Sequence, residues 1–491
     1  MRLEQLESRD APAGFVANYT DVDGDHVTLT LSAGTMIIGW ASYAQGSAAS
    51  EVDLTGAEPG ASLRMTVVRA PGGDGLSNVG YINATGVDLG TVVIRGDLSR
   101  ITAGDADMST PAARAVTVWS LGRLASETQP LGGGLASSFN GPLGRFAVRG
   151  DMAGATMSVT GGIDAVVIGG SLVGWSGTSG SGSIYSGGQI GSVRIGGDIQ
   201  GGGGLASGSV YGSAGITTVR VGGSLIGGFS TSGDNQSSGS IGSNGPIGSV
   251  NIGHDIVGGD IFGPGSLRDS GTIAARRLGR VTVGGSIFAG TASNGGTLAQ
   301  SGAILAIDDI ESIIVRGNLI GSSTNRVQIY ARGQPTPTAG ADFAIKSLRI
   351  GGRVEGAWIF GGVDLNGVAV NGNAQIGTVT VGGDWVASSM TSGCTSTDGF
   401  LGDANDAALP GATESRIGSI NIAGQVFGRR GSNETFGIFA QEIGSFRLAG
   451  VSIPLTPGQG NDTFALGAAH ALGATFSSFN GDAFAVHVYE V

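Results

Sequence analysis

Cysteine is nearly absent from this chain, because Cys394 is the single cysteine among 491 residues. An internal disulfide and a cysteine-based metal site are therefore excluded. Cys394 lies in a polar stretch rich in Gly, Ser and Thr, which predicts an exposed thiol without a structural role. So little cysteine fits any redox compartment and does not indicate a location.

Charge is also scarce, and basic charge is scarcer than acidic charge. Charged residues make up 13% of the chain, and 26 Lys and Arg oppose 38 Asp and Glu, for a net charge of −12 at pH 7. Lys346 is the single lysine. Proteins bind phosphate backbones through clustered Lys and Arg. The charge balance therefore argues against a nucleic-acid partner.

Long apolar runs are missing as well. No stretch of 18 or more apolar residues occurs, so we expect no helix that spans a membrane. The opening residues, MRLEQLESRDAPAG, contain an early arginine but lack the apolar region of a conventional signal peptide.

Glycine is abundant instead, with 95 residues, far above the usual share of about 7%. The glycines follow no Gly-X-Y register, which excludes a collagen helix. Hydrophobic residues make up 40% of the chain, enough to bury a core. Few charges, many glycines and many Val and Ile residues predict stacked strands and tight turns.

An internal repeat supports the prediction of stacked strands. Each copy resembles IGSVRIGGDIQGG, and thirteen copies span residues 89 to about 452 at spacings of 20 to 41 residues. The copies begin at Leu89, Ala113, Leu143, Ile163, Ile190, Ile216, Ile247, Leu278, Ile310, Ile345, Ile376, Ile417 and Ile443.

Each copy predicts three short strands. In the copy at Ile190, Val193 and Ile195 alternate with Arg194, which is the period of a strand. A glycine pair follows, and we attribute it to a sharp bend with positive φ. The segments DIQGG and SGSVYGS supply two more strands. Three strands per turn with inward Val or Ile predict an all-β, right-handed parallel β-helix, whose coils stack about 4.8 Å apart. A β-propeller needs longer antiparallel strands.

The ends of the chain lack the repeat. We therefore predict a strand-rich N-terminal cap over residues 14–88, repeats over 89–452 and a C-terminal cap over 453–491. Two wide spacings place loop insertions near 333–342 and 391–415. Terminal coils need caps because their strand edges are unpaired. In the C-terminal cap, Phe484, Val486 and Val488 are expected to cover the last coil.

The chain resembles a largely uncharacterised group of glycine-rich planctomycete proteins. The resemblance rests on YTDVDGD near the N-terminus, on GDGLSNVGYINATGVDLGTVVIRGDL at 73–98 and on RLEQLESRDAP at the start. It implies an exported protein of the extracellular space or cell envelope, with residues 1–13 as a sorting-like or disordered segment. The group supplies no activity that could be transferred to this chain.

Two sets of carboxylates are candidates for chemistry. Asp308 and Asp309 resemble the acidic pair of pectin-degrading β-helix enzymes, but the histidine and lysine motifs that accompany such a pair are missing. We interpret the pair as a corner turn. The second set follows the corner glycines, where Asp, Ser or Asn predicts a stacked ladder bonded to backbone N–H groups. Its members are Asp97, Asp151, Ser171, Asp198, Ser224, Asp255, Ser286, Asn318 and Asp384.

A third acidic group lies in TDVDGDHVTLT, residues 20–30. Asp21, Asp23 and Asp25 alternate with Val22 and Gly24. Asp-Gly between two alternating segments predicts a two-residue hairpin turn. The alternative is a structural calcium site at Asp21, Asp23 and Asp25. An EF-hand is excluded, because its twelfth position would be Ser32 instead of glutamate.

Two classes of function follow. The first is a non-enzymatic structural or adhesive protein that presents loops to a polysaccharide or another cell-surface component. The alternative is a polysaccharide lyase or glycoside hydrolase of the pectin-lyase-like type, which rests on analogy between folds. Neither class predicts catalytic residues, and calcium is the single cofactor considered.

Overall fold

A computed structural model describes residues 14–43, 46–124, 134–338, 340–396, 401–402, 405–412, 414–429, 434–467 and 485–491. These residues form 51 strands and no helix, and most strands pair in parallel with the equivalent strand one coil away. The predicted parallel β-helix is therefore confirmed, whereas its right-handed coiling stays a prediction. The N-terminal segment 1–13 lies outside the described residues.

The chain divides into two compact units. Unit 1 comprises Met1–Leu172 and Ser181–Arg194, and unit 2 comprises Val173–Gly180 and Ile195–Val491. In both units, the strands of successive coils form three sheets. Sheet I contains the first strand of each repeat, sheet II the short strand after the corner glycines, and sheet III the strand that precedes the next repeat.

Unit 1 begins with antiparallel strands and continues with parallel ones. The hairpin of Phe15–Thr20 and His26–Leu31 pairs antiparallel on Ala61–Val68 in sheet I, and Ile37–Tyr43 pairs antiparallel on Gly46–Asp53 in sheet III. Sheet I then contains Leu89–Val93, Ala113–Val118, Leu143–Val148, Ile163–Ile168 and Gln189–Ile195. Sheet II contains Ser120–Leu121, Met152–Ala153 and Leu172–Val173. Sheet III contains Val79–Thr85, Asp97–Gly104, Ala136–Phe139, Thr156–Val159 and Ser183–Ser186.

Unit 2 repeats the same three sheets. Ser240–Ile252 and Thr272–Val283 each bend from sheet III into sheet I. The other strands of sheet I are Gly215–Val221, Ile310–Val315, Phe343–Ile350, Gln375–Val381, Arg416–Ile422, Glu442–Ile443 and Phe446–Leu448. Sheet II contains Ile199–Gln200, Leu225–Ile226, Ile256–Val257, Ile287–Phe288, Leu319–Ile320, Val354–Glu355, Trp385–Val386 and Val426–Phe427. Sheet III contains Ser209–Gly212, Ala303–Ala306, Val327–Ala331, Ala357–Gly361, Ser389–Ser392, Gly437–Ala440 and Ala485–Glu490.

The last coil of unit 2 is covered by antiparallel strands. Val451–Ile453 folds back on Phe446–Leu448, and Thr463–Gly467 pairs with Ala485–Glu490. Val486 and Val488 are fully buried, and Val488 pairs with Ile438 of the preceding coil. Their predicted covering role is confirmed, whereas Phe484 lies outside the described residues.

The extra residues of several coils form small strands beside the three sheets. Phe229–Ser230 pairs with Asp260–Ile261, and Cys394–Thr395 pairs with Ala407–Ala408. A third group contains Asn235–Gln236, Gly265–Arg268 and Gly296–Ala299. The repeat spacings exceed one minimal coil because the coils contain these extra loops.

The core is a set of aliphatic columns that run from coil to coil. The first residue of each repeat in unit 2 is buried, and so is the apolar residue three positions later. Burying one such side chain contributes roughly 1.5–3 kcal/mol. One column consists of Val219, Val250, Val281, Ile313, Leu348, Val379, Ile420 and Phe446.

The corner after sheet I contains the predicted ladder of Asp, Ser and Asn. At most of these positions a side-chain oxygen accepts the backbone N–H of the equivalent residue one coil later, so the bonds join coils and do not stay within one turn. Five such bonds follow one another in unit 2. Asp198 accepts Ser224 N at 2.7 Å, Ser224 accepts Asp255 N at 3.3 Å, and Asp255 accepts Ser286 N at 2.7 Å. Ser286 then accepts Asn318 N at 3.0 Å, and Asn318 accepts Arg353 N at 2.8 Å.

The ladder recurs elsewhere with local variation. Asp384 accepts Gln425 N at 2.8 Å in unit 2, and Asp151 accepts Ser171 N at 2.9 Å in unit 1. Asp97 differs, because its carboxylate accepts the Ser120 hydroxyl at 2.5 Å.

The ladder also explains the corner glycines. A Cβ on Gly223, Gly285 or Gly352 would overlap the side-chain oxygen of the ladder residue one coil earlier. Gly196 and Gly197 do not have positive φ, so the prediction of a left-handed bend there is wrong. Left-handed glycines do occur at the corner before sheet III, as at Gly208 with φ of 57° and Gly239 with φ of 61°.

We expect Gly285→Ala to lower the free energy of unfolding by about 1–3 kcal/mol, because its Cβ must displace the Asp255 carboxylate. Urea denaturation followed by circular dichroism measures the loss. Gly134→Ala is the control, since a Cβ there meets nothing within 4 Å. Equal stability of the two variants would contradict the close-approach explanation.

Candidate functional site

The acidic loop, Asp21 to Asp25, joins the first two strands of unit 1. Thr20 pairs with His26, so the loop has five residues and the predicted two-residue turn is wrong, although the predicted hairpin is present. The ligand atoms of Asp21, Asp23 and Asp25 all lie within 4.8 Å of one another. Among the described residues, they are the one group of three or more His, Cys, Asp or Glu side chains gathered this closely.

Most carboxylate oxygens of the acidic loop accept backbone N–H groups. Asp25 is fully buried, and its two oxygens accept the N–H groups of Ala70 and Gly75, both at 2.6 Å. Asp23 is exposed and accepts Asp74 N at 2.9 Å. The loop therefore fixes residues 70–75 onto the hairpin, a role that the spacing of the aspartates did not predict.

Asp21 and Asp23 have opposite pKa shifts. Burial raises the pKa of Asp21 to about 6, and a hydrogen bond to Asp23 adds to this rise. The pKa of Asp23 is lowered, chiefly because its carboxylate accepts that hydrogen bond from Asp21. Two neighbouring carboxylates repel each other when both are ionised. A proton shared between Asp21 and Asp23 removes this repulsion.

Asp308 and Asp309 are paired with arginines of the preceding coil. Arg276 Nε contacts Asp308 Oδ2 at 2.9 Å, and Arg277 Nε contacts Asp309 Oδ2 at 3.0 Å. Burial raises the pKa of Asp309, while Arg277 opposes the rise. The pair lies at a corner, as predicted, but it belongs to a double ion pair and not to a simple turn.

The arginine partners were detectable in the sequence. Arg276 and Arg277 precede Leu278 as Asp308 and Asp309 precede Ile310, so both pairs occupy the same two positions of successive repeats. Stacked coils bring such positions together. Comparing the residues just before each repeat would therefore have predicted the ion pairs.

The prediction for Cys394 is wrong. The thiol is buried with only 2% of the residue exposed, because Cys394 and Leu401 of this insertion pack against residues on the outer side of sheet III. Its neighbours there include Tyr330, Phe360, Phe439 and Tyr489. Burial raises the pKa of the Cys394 thiol to about 12. A buried neutral thiol is a poor nucleophile.

Asp21 should make unit 1 less stable as the pH rises. Its pKa is about 6 in the folded chain, against an ordinary value of 3.8. Folding therefore favours the protonated form, and that stabilisation is lost between about pH 4 and pH 6. The lowered pKa of Asp23 acts below this window.

The measurement is a thermal melt at each pH in buffer with a calcium chelator. Asp21→Asn keeps Oδ1 as the acceptor of Asp25 N but does not titrate. We expect wild type to lose stability relative to Asp21→Asn from pH 4 to pH 6. Parallel pH profiles would contradict the raised pKa.

The comparisons with known proteins do not indicate a function. No protein-family model, curated protein or solved structure matches the chain. The described residues include no helix that is long and apolar enough to cross a membrane. The resemblance to planctomycete glycine-rich proteins therefore stays a prediction from its sequence motifs.

Proposed function

We propose that this chain is a non-enzymatic structural or adhesive β-solenoid of the extracellular space or cell envelope, which presents surface loops to a polysaccharide or another surface component. One observation carries the proposal. The carboxylates that were candidates for catalysis are engaged in joining coils, as Asp308 and Asp309 are with Arg276 and Arg277.

The ladder supports the same proposal. A glycoside hydrolase needs two carboxyl groups placed on either side of a bond, with solvent or substrate between them. Asp198 and Asp255 instead accept backbone N–H groups of the next coil at 2.7 Å. Their chemistry is used for stacking, which is what a structural repeat requires.

The side strands support a presenting role. Ile261 and Leu267 are fully buried beneath them, so these loops have a small core of their own. Phe229 and Phe262 remain 40% and 50% exposed on the same loops. Ordered loops with exposed aromatic side chains provide contact area for a partner at low entropic cost.

Two experiments test the proposal. Purified protein is incubated with pectin, alginate and sulfated glycans, and polymer length is measured by size-exclusion chromatography. We expect no shortening, and depolymerisation of any of them would establish an enzyme. Surface labelling of intact source cells should modify the protein, and a label restricted to lysed cells would refute the location.

We also propose that the acidic loop binds one structural calcium ion. Calcium takes six to eight oxygen ligands, mostly carboxylates and carbonyls. In such a site, the cation would replace the proton that Asp21 and Asp23 otherwise share. Asp25 is less available, since both of its oxygens accept backbone N–H groups.

Calcium should raise the melting temperature of wild type at pH 7 and give a saturable heat in titration calorimetry, because binding stabilises the folded state. Asp23→Asn removes an exposed carboxylate with one backbone contact, so it should fold normally and lose the calcium effect. Absence of a binding heat in wild type would leave the loop as a hairpin connection alone.

A further inference from the structure

The outer surface of sheet I in unit 2 is a largely polar face, on which Ile314 is the single residue with an aliphatic side chain. We define it as the outward residues of seven successive strand segments, 217–220, 248–251, 279–282, 311–314, 346–349, 377–380 and 418–421. None of these outward residues is buried, whereas the residue between them in each segment, such as Val219 or Val250, belongs to the core.

The composition of this polar face differs from that of the whole chain. Its charged side chains are Arg220, Arg280, Lys346 and Arg349, against Glu311 alone. The chain as a whole has a net charge of −12. The polar face therefore has more basic than acidic side chains although the chain as a whole is acidic, which creates a local positive potential.

Three of the four cations are available to a ligand. Lys346 contacts Glu311 at 2.5 Å, so these two largely neutralise each other. Among the described residues, no carboxylate forms an ion pair with Arg220, Arg280 or Arg349. All three arginines are exposed.

The three arginines are regularly spaced. Arg220 and Arg349 lie in one column of the sheet, separated by Asn251, Thr282 and Ile314. Arg280 lies on the strand midway between them, in the neighbouring column. Adjacent strands are about 4.8 Å apart, so successive arginines rise by roughly 9.6 Å along the stack.

Small polar groups fill the space between the arginines. Nine of the outward positions are Ser or Thr, two are Asn and four are Gly. A Cβ on Gly248, Gly279 or Gly377 would meet a backbone oxygen of the preceding coil. Glycine is therefore favoured at these positions, and no side chain projects from the face there. The result is a flat strip that offers hydroxyl and amide groups along with separated positive charges.

The carboxylates that border this strip are already engaged. On one side, Asp255 accepts Ser286 N in the ladder. On the other side, Asp308 and Asp309 are paired with Arg276 and Arg277. The two ion pairs therefore compensate negative charge at one border of the polar face.

We propose that this polar face binds a linear acidic polysaccharide, with Arg220, Arg280 and Arg349 contacting carboxylate or sulfate groups on successive sugar units. The inference rests on the proposed function and names its partner class and its surface. Arginine suits this task because its planar guanidinium donates two parallel hydrogen bonds to an oxyanion. The Ser, Thr and Asn side chains between the arginines match the hydroxyl groups of a sugar chain.

Nucleic acid fits this face less well. Single strands are held by stacking of bases on aromatic side chains, and none of the outward residues is aromatic. A duplex is read by an element that enters a groove, whereas this surface is flat. The three arginines also lie two coils apart, which is a wider spacing than that between the phosphates of a nucleic acid.

The test uses the full chain and three exposed arginines. Arg220→Gln, Arg280→Gln and Arg349→Gln are combined, and binding to polygalacturonate and to dextran sulfate is measured by biolayer interferometry at several salt concentrations. We expect wild type to bind at least one of the two polymers and not neutral dextran, and the triple variant to lose about 10–100-fold in affinity. Loss of three contacts should also reduce the slope of log K against log salt by about 2.

The matched control neutralises three exposed arginines of unit 1, Arg95, Arg123 and Arg149, and changes the net charge equally. It should bind within about twofold of wild type, since only the polar face is proposed to contact the polymer. Carboxylated and sulfated polymers identify which anion is preferred.

Equal losses in the two triple variants, wild-type binding by the Arg220, Arg280 and Arg349 variant, or binding to neither acidic polymer would overturn the proposal. Tighter binding to single-stranded or duplex DNA than to the acidic polymers would overturn it too. Polymer length in the same samples reports separately on the proposed function, because shortening would reveal an enzyme whether or not the arginines bind.

Discussion

The backbone hydrogen bond between equivalent residues of successive coils is the interaction on which the rest of this structure depends. It requires that each coil return to the same lateral position, about 4.8 Å further along the stack. Every side chain is thereby placed next to its counterpart in the neighbouring repeats. Aliphatic columns, ion pairs such as Arg276 with Asp308, and the corner ladder are consequences of this one registration.

The sequence was sufficient to predict the three-stranded coil, but it did not reveal why glycine is required at the corners. The period of Val and Ile identified the strands, because only inward positions must be apolar. The corner glycines were recognised but misinterpreted, since close approach to Asp255 and not positive φ requires Gly285. Turn preferences describe neighbours along the chain and contain no information about the adjacent coil. The contact between Gly285 and Asp255 is therefore apparent only in the stacked structure.

The candidate sites show the same limit. Sequence spacing correctly grouped Asp21, Asp23 and Asp25, since residues two apart in a loop remain near each other. It did not predict the partners of Asp25, because Ala70 and Gly75 are about fifty residues away. Cys394 was misplaced for a related reason. A polar insertion was expected to be solvated, but its residues Cys394 and Leu401 pack with aromatic residues on the outer side of sheet III.

The order of residue types along the corner ladder limits how such a protein can lengthen or shorten. From residue 198 to residue 318 the ladder residues are Asp, Ser, Asp, Ser and Asn. Neutral acceptors therefore separate carboxylates that would otherwise lie about 4.8 Å apart and repel each other. Duplicating or deleting one coil between Asp198 and Ser286 would bring two aspartates or two serines into contact, whereas gaining or losing two coils keeps the alternation. Within this region, we therefore expect that a change of two coils preserves the ladder better than a change of one.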